Sequence, residues 1–334
     1  MYTQKFGLQL DPFSIAPDPR FLYMSDRHRE ALAHLMWGVS GPAGVAGNSG
    51  GGFVLLTGDI GAGKTTICRC FLQQIPANCN VGYIFNPKLS VLELLESICE
   101  EFHITLPQEW NQPPTAKAYI NALNIHLLDR HANGEACVLI IDEAQNLASE
   151  VLEQLRLLTN LETNDRKLLQ IVLIGQPELR TMLARPELEQ LEQRVVARCH
   201  LEALNLPETQ QYIAHRMEVA GLTGALPFDA PALKRIYELT RGVPRRINLL
   251  CGRALLGAWA SGDQQVGKRL VDQAAKEVFD TSRLASSGLG WRHLRRALIA
   301  LSLILLGAAL VVGTAVWSNL RQDQRTPPAS TPAH

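Results

Sequence analysis

Four stretches of this chain are almost continuously apolar: Phe53–Thr57 (FVLLT), Val81–Phe85 (VGYIF), Val138–Asp142 (VLIID) and Leu168–Gly175 (LLQIVLIG). Short runs of this kind read as strands buried on both faces of a parallel sheet, since a half-exposed strand would alternate apolar and polar positions. Between them the apolar spacing changes to three and four. That spacing predicts helices over Thr65–Gln74, Ser90–Phe102, Ala116–His131 and Ser149–Leu161, with another ahead of them over Ser25–Trp37. Strands alternating with helices predict an α/β layered fold around a mainly parallel sheet.

Past Leu206 the strand signals stop, and the pattern predicts helices over Pro207–Ala220, Asp229–Arg241, Pro244–Ala260 and Lys268–Phe279. The expected organisation is a segment over 1–40 packing on the core, an αβα domain over 41–206 and a helical domain over 207–280. The αβα domain would open on GPAGVAGNSGGG, a stretch too glycine-rich to pack and read as a flexible loop. A short polar linker with a basic cluster follows over 281–296.

Residues 297–317, ALIALSLILLGAALVVGTAVW, carry no charge. About 20 apolar residues suffice to cross the hydrocarbon core of a bilayer as a helix. A buried core helix of that length would show a polar face, and here Ser302 and Thr314 are the polar groups. The expectation is a single transmembrane helix. Arg292, His293, Arg295 and Arg296 crowd its N-terminal side against Arg321 and Arg325 beyond it, which predicts N-in, C-out. The tail over 318–334, rich in Pro, Thr and Ser, is expected to stay disordered.

Composition narrows the function classes. Of the 334 residues, 46% are hydrophobic, ample for a core, and Lys+Arg and Asp+Glu both number 32. A net charge of +0 argues against nucleic acid as the main partner, because such binders present a strong basic surface. The N-terminus lacks the basic start and apolar run of a signal peptide. The seven cysteines are scattered without metal-ligand spacing and read as reduced, buried thiols of a cytoplasmic domain.

The chemistry lies in two motifs. Gly58-Asp59-Ile60-Gly61-Ala62-Gly63-Lys64-Thr65, with Thr66 next, matches G-x-x-x-x-G-K-[ST] directly after a strand and at the start of a helix. Its glycines let backbone N–H groups wrap a phosphate chain at a helix N-terminus. Lys64 would reach the β- and γ-phosphates, and the Thr65 hydroxyl would ligate Mg²⁺. Downstream, Asp142 and Glu143 leave the C-terminal end of an apolar strand, where ligands bind in such sheets. Asp142 would hold Mg²⁺ and Glu143 would polarise the attacking water, making the chain an ATP-hydrolysing enzyme. Gln176, after the strand Gln170–Ile174, can contact the γ-phosphate or the water. Arg194 and Arg198, in LEQRVVARCHLEAL, are either solvated helix-face residues or a cationic finger offered to a neighbouring subunit. Arg245, in GVPRRINLL, starts a helix of the second domain and can reach back to the phosphates.

Taken together, GDIGAGKTT, LIIDEAQ, LIGQPEL, LEQRVVARCHLEAL and TRGVPRRINLLCGRAL closely resemble the AAA+ family of general secretion pathway protein A (ExeA/GspA). The opening FGLQLDPFSIAPDPRFLYMSDRHREALAHLMWGV is similar as well, so the likeness spans residues 1 to about 280. The resemblance implies a P-loop core with a helical lid domain, assembly into a homo-oligomer with nucleotide between subunits, and ATP with Mg²⁺ as ligands. It implies Walker A roles for Lys64 and Thr65, and Walker B roles for Asp142 and Glu143. Gln176 would be sensor 1 and Arg245 sensor 2, with Arg198 the first choice of finger and Arg194 the second. Sensor 1 is Asn, Ser or Thr in most AAA+ proteins, so Gln176 departs from the wider pattern. Full-length secretion members continue past the span into a periplasmic peptidoglycan-binding domain. This sequence ends at His334, so direct cell-wall contact is not expected of it. A pilus-biogenesis ATPase of the MshM type is similar in the core and lacks that domain.

The functional expectation is an ATPase anchored in the bacterial inner membrane, assisting assembly of a type II secretion or type IV pilus-like complex. The alternatives are a DNA-directed ATPase of transposition or replication type, and a nucleotide-dependent scaffold with little turnover.

Overall fold

The computed structural model describes residues 2–16, 18–40, 52–85, 87–106, 114–163 and 167–279. Of the expected loop over 41–52 the structure describes Gly52 alone, as the first residue of a strand, and the linker, the span over 297–317 and the tail lie outside the described residues. Among the described residues, no helix is long and apolar enough to cross a membrane. Contacts group Met1–Ala274 into one unit.

The apolar runs become the parallel strands β1 (Gly52–Gly58), β2 (Cys79–Ile84), β3 (Ala136–Ile141) and β4 (Leu169–Gly175). β1 and β4 are buried at every position, as strands covered on both faces must be. A fifth strand, β5 (Val195–Leu201), was not expected from the apolar-run criterion. Its residues alternate, with Ala197, Cys199 and Leu201 buried and Val196 and Arg198 exposed. This is the pattern of a half-covered edge strand. Arg198 therefore sits on a strand, and the helix-face reading is wrong for it. The order is β2-β3-β4-β1-β5, all parallel, so β4 is inserted between the strand that feeds the phosphate loop and the strand that ends in Asp142.

Around the sheet run α1 (Tyr2–Lys5), α2 (Asp26–Ser40), α3 (Lys64–Gln74), α4 (Val91–Glu101), α5 (Ala116–Ala132), α6 (Ser149–Leu158), α7 (Glu178–Leu183) and α8 (Glu189–Glu192). One face of the sheet buries Leu55, Leu139, Ile171 and Leu173 with Leu95, Leu123 and Leu152 from α4, α5 and α6. The other buries Val54, Leu56, Ile140 and Val172 with Leu35 of α2 and Phe71 of α3. Full burial of side chains this size contributes roughly 1.5–3 kcal/mol each relative to exposure. The two faces together hold β1, and hence the loop that follows it, in a rigid frame.

The helical part comprises α9 (Leu206–Val219), α10 (Ala230–Thr240), α11 (Pro244–Ser261) and α12 (Lys268–Phe279). Asn205 and Glu208 form a reciprocal capping box at the start of α9, and Asp229 caps α10. Proline near the start of α9, α10 and α11 sets φ where no intrahelical donor is needed. Residues 2–16 lie along α9 and α11. Gln9 N–H donates to Ala220 O at 2.8 Å, Lys5 Nζ to Ala258 O at 2.9 Å, and Phe13 meets Phe228 edge-on. The N-terminal region packs on the core from Pro19–Phe21, a 3₁₀ turn that meets α3, and then through α2, against β5 and α3.

Candidate functional site

The loop Gly58–Gly63 turns from β1 into α3. Gly61 (φ +82°) and Gly63 (φ +105°) take backbone conformations that side chains disfavour, and Ala62 N–H closes on Asp59 O at 3.1 Å. Lys64 is buried by the loop it follows, with Nζ donating to Gly58 O at 2.8 Å and Asp59 O at 3.1 Å. Burial lowers its pKa, opposed by the carboxylates of Glu143, Asp142 and Asp59.

Asp142 is buried at the end of β3 and fixed through both oxygens. Tyr83 OH on β2 donates to Oδ2 at 3.0 Å, and the Glu143 backbone N–H to Oδ1 at 2.9 Å. Burial raises its pKa, offset mainly by those two hydrogen bonds. Glu143 follows with φ +54°, an uncommon left-handed conformation for a non-glycine residue. A turn of 3₁₀ helix (Ala144–Asn146) comes next. Gln145 on that turn donates through Nε2 to Glu143 Oε2 and accepts at Oε1 from Gln176 N–H at 3.0 Å. Gln176 Nε2 lies 3.4 Å from the same Glu143 oxygen. The inserted strand β4 thus delivers Gln176 between the phosphate loop and the two carboxylates.

A cavity of about 370 Å³ is lined by Gly61, Lys64, Thr65, Thr66, Glu143, Gln176 and Arg245, among others. Arg245 enters from α11, whose N-terminus meets the loop directly, its N–H donating to Gly61 O at 3.3 Å. Arg198 and Arg194 do not line this cavity. Arg198 is exposed and paired with Glu192 at 2.9 Å. Arg194 is tied to the end of α6, through Thr159 Oγ1 at 2.7 Å and Arg156 O at 3.3 Å.

The remaining wall was not read from the sequence. Ser14, Ile15, Ala16 and Asp18 line it together with Tyr212, Arg216 and Asn248. Arg216, buried, donates to Pro12 O, to Ser14 O at 3.2 Å and to Tyr212 OH at 3.1 Å, with its guanidinium 4.7 Å from the Phe21 ring centre. Tyr212 OH donates to Asn248 Oδ1 at 2.8 Å. A smaller cavity beside it is lined by Tyr23, His28, Leu204, Tyr212 and Pro244. His28 is buried with Nδ1 2.6 Å from Ser25 Oγ, and burial lowers its pKa.

Among the described residues, no three His, Cys, Asp or Glu side chains gather as an all-protein metal cage. A hydroxyl (Thr65) and a fixed carboxylate (Asp142) are the hard oxygen donors that suit Mg²⁺, which usually completes its sphere with water and substrate phosphates. The donor set fits that ion.

The AAA domain family profile matches residues 47–183. General secretion pathway protein A of Aeromonas hydrophila is 45% identical over 317 residues, which is 95% of this chain and 54% of that protein. The chain therefore spans about half the length of the curated relative it matches. Among solved structures, Cdc6p of Pyrobaculum aerophilum aligns at TM-score 0.62 with 18% identity, covering 81% of this chain and 72% of that one. Drosophila ORC bound to DNA aligns at TM-score 0.60 with 16% identity over 85% and 67% of the two chains. At such identities these two likenesses establish the fold alone.

Proposed function

Because the chain belongs to the general secretion pathway protein A family of AAA+ P-loop proteins, we propose that it binds ATP with Mg²⁺ in the 370 Å³ cavity and hydrolyses it. The observation that carries this reading is the convergence there of Lys64, Thr65, Glu143, Gln176 and Arg245 from four separate parts of the chain. In this reading the loop amides and Lys64 bind the phosphates, and Thr65 and Asp142 hold Mg²⁺, which supplies charge neutralisation at the phosphates. Glu143 takes the proton of the attacking water, Gln176 orients the γ-phosphate or that water, and Arg245 carries the nucleotide state into α11. Arg198, exposed on the edge strand, is the finger offered to a second copy, with Arg194 the alternative.

The wider role proposed is assistance to a secretion or pilus-like assembly at the bacterial inner membrane, with residues 297–317 spanning the bilayer and the ATPase on the cytoplasmic side. Supporting it are the kinship to a general secretion pathway protein and an uncharged stretch of spanning length. The test is phosphate release by the full chain in detergent or lipid as protein concentration rises, beside Lys64→Ala and Glu143→Gln. Wild-type turnover should climb with concentration. Glu143→Gln should keep nucleotide binding and lose about 10²- to 10⁴-fold in rate. Turnover in Glu143→Gln equal to wild type would remove the assigned base, and a wild type that never turns over would leave a scaffold.

A further inference from the structure

The proposed ATPase reading gives Glu143 the water and Gln176 the γ-phosphate or that water, and gives Gln145 nothing. Yet among the described residues Gln145 is the one side chain hydrogen-bonded to both positions. It stands on the 3₁₀ turn after β3, half-buried, and reaches across to the end of β4. Its two partners fix the sense of the amide. The Gln176 backbone N–H, at 3.0 Å, can meet only the oxygen, and the Glu143 carboxylate can meet only the NH₂.

The surroundings make room for this bridge. β4 ends on Gly175, where a Cβ would lie 2.7 Å from Gln145 Oε1 and 2.9 Å from Leu179 Cδ2. The amide occupies the space that any side chain at 175 would need. Glu143 itself sits on left-handed backbone, a conformation that persists where the surroundings over-determine it. A glutamate on such a turn would otherwise sample several rotamers. Here both amide donors, Gln145 Nε2 and Gln176 Nε2, fall on one carboxylate oxygen, Oε2. The carboxylate is thereby aimed by the end of β4, the point at which Gln176 enters the cavity.

We propose that Gln145 is a positioning residue for hydrolysis: it locks the Glu143 carboxylate to the end of β4, so that the base is aligned only while Gln176 is in place. The proposal rests on the ATPase reading, with Gln145 acting through Glu143 and touching no nucleotide.

The test compares Gln145→Met, which keeps length and removes both hydrogen bonds, with Gln145→Glu, which keeps shape and sets a second carboxylate against the first. kcat, KM, binding of a fluorescent ATP analogue and the melting temperature are measured on the full chain. Gln145→Met should lose about 10- to 100-fold in kcat, the scale of a base misplaced by an ångström, with nucleotide affinity and melting temperature near wild type. Gln145→Glu should also lose kcat with KM unchanged, because two facing carboxylates repel and the Glu143 side chain is pushed off the end of β4. A kcat equal to wild type in Gln145→Met or in Gln145→Glu overturns the proposal while the ATPase reading stands. A wild type with no turnover overturns both.

Discussion

Gly61 is where the phosphate loop and α11 touch, and replacing it by alanine perturbs both through one methyl group. Its φ of +82° lies in the left-handed region, which costs a side chain about 1–2 kcal/mol. The new Cβ would stand 2.5 Å from Arg245 Cβ, against roughly 3.5–4.0 Å for two carbons in contact. Arg245 Cβ belongs to a helix start and cannot swing aside like the tip of a flexible side chain. Relief therefore needs α11 to retreat by about 1 Å, at an overpacking cost of about 1–3 kcal/mol. Together the two contributions come to about 2–5 kcal/mol. At roughly 2–4 °C per kcal/mol for a fold of this size, the melting temperature should fall by about 4–20 °C. Gly134→Ala is the control, because φ there is +74° with nothing within 4 Å of the added methyl, so it carries the strain alone. Differential scanning fluorimetry with and without ADP would show Gly61→Ala losing more than Gly134→Ala, and losing nucleotide affinity as well. Equal losses in the two variants would refute the claim that loop and helix are in backbone contact.

The two arginines of LEQRVVARCHLEAL should part company. Arg198→Ala removes an exposed ion pair worth about 0–1 kcal/mol, so its melting temperature should hold while concentration-dependent turnover falls; Arg194→Ala, breaking bonds to the end of α6, should cost about 1–3 kcal/mol in a denaturant melt. His28 makes a pH prediction. Burial holds its pKa below the ordinary 6.5, so the unfolded chain binds the extra proton first as pH drops, and stability contributed by the neutral ring is lost below pH 6.5. Urea melts across that range should show a smaller acid-side loss in His28→Gln than in wild type.

The sheet strands and the phosphate loop were legible because each is written locally. A continuous apolar run needs no partner to be recognised, and a phosphate loop carries its own glycines and lysine. β5 was missed for the opposite reason: an edge strand covered on one face alternates, and Val195–Leu201 places Arg198 and His200 among its apolar residues. The convergence of Glu143, Gln176 and Arg245 on the loop could be expected from strand ends and a helix start. That Gln145 joins two of them could not, since nothing near it says that β4 lies beside β3. The wall made by Ser14, Tyr212 and Arg216 was equally hidden. Its members stand some 200 positions apart in sequence, bonded through backbone carbonyls that no side-chain pattern announces.

The N-terminal residues give this fold an unusual mechanical linkage. The chain begins along α9 and α11, crosses to the sheet ahead of α2, and crosses back once more between β5 and α9. The helical part is thus joined to the sheet by two crossings of the chain, one carrying Ser14, Ile15, Ala16 and Asp18 along the cavity lining, the other carrying Leu204, whose N–H donates to Gly242 O at 3.0 Å, and the Arg245 N–H on Gly61 O adds a third tie. Because Ser14, Ile15, Ala16 and Asp18 on the first crossing also line the cavity proposed for nucleotide, a shift of the segment that joins helices to sheet reshapes the wall of that cavity.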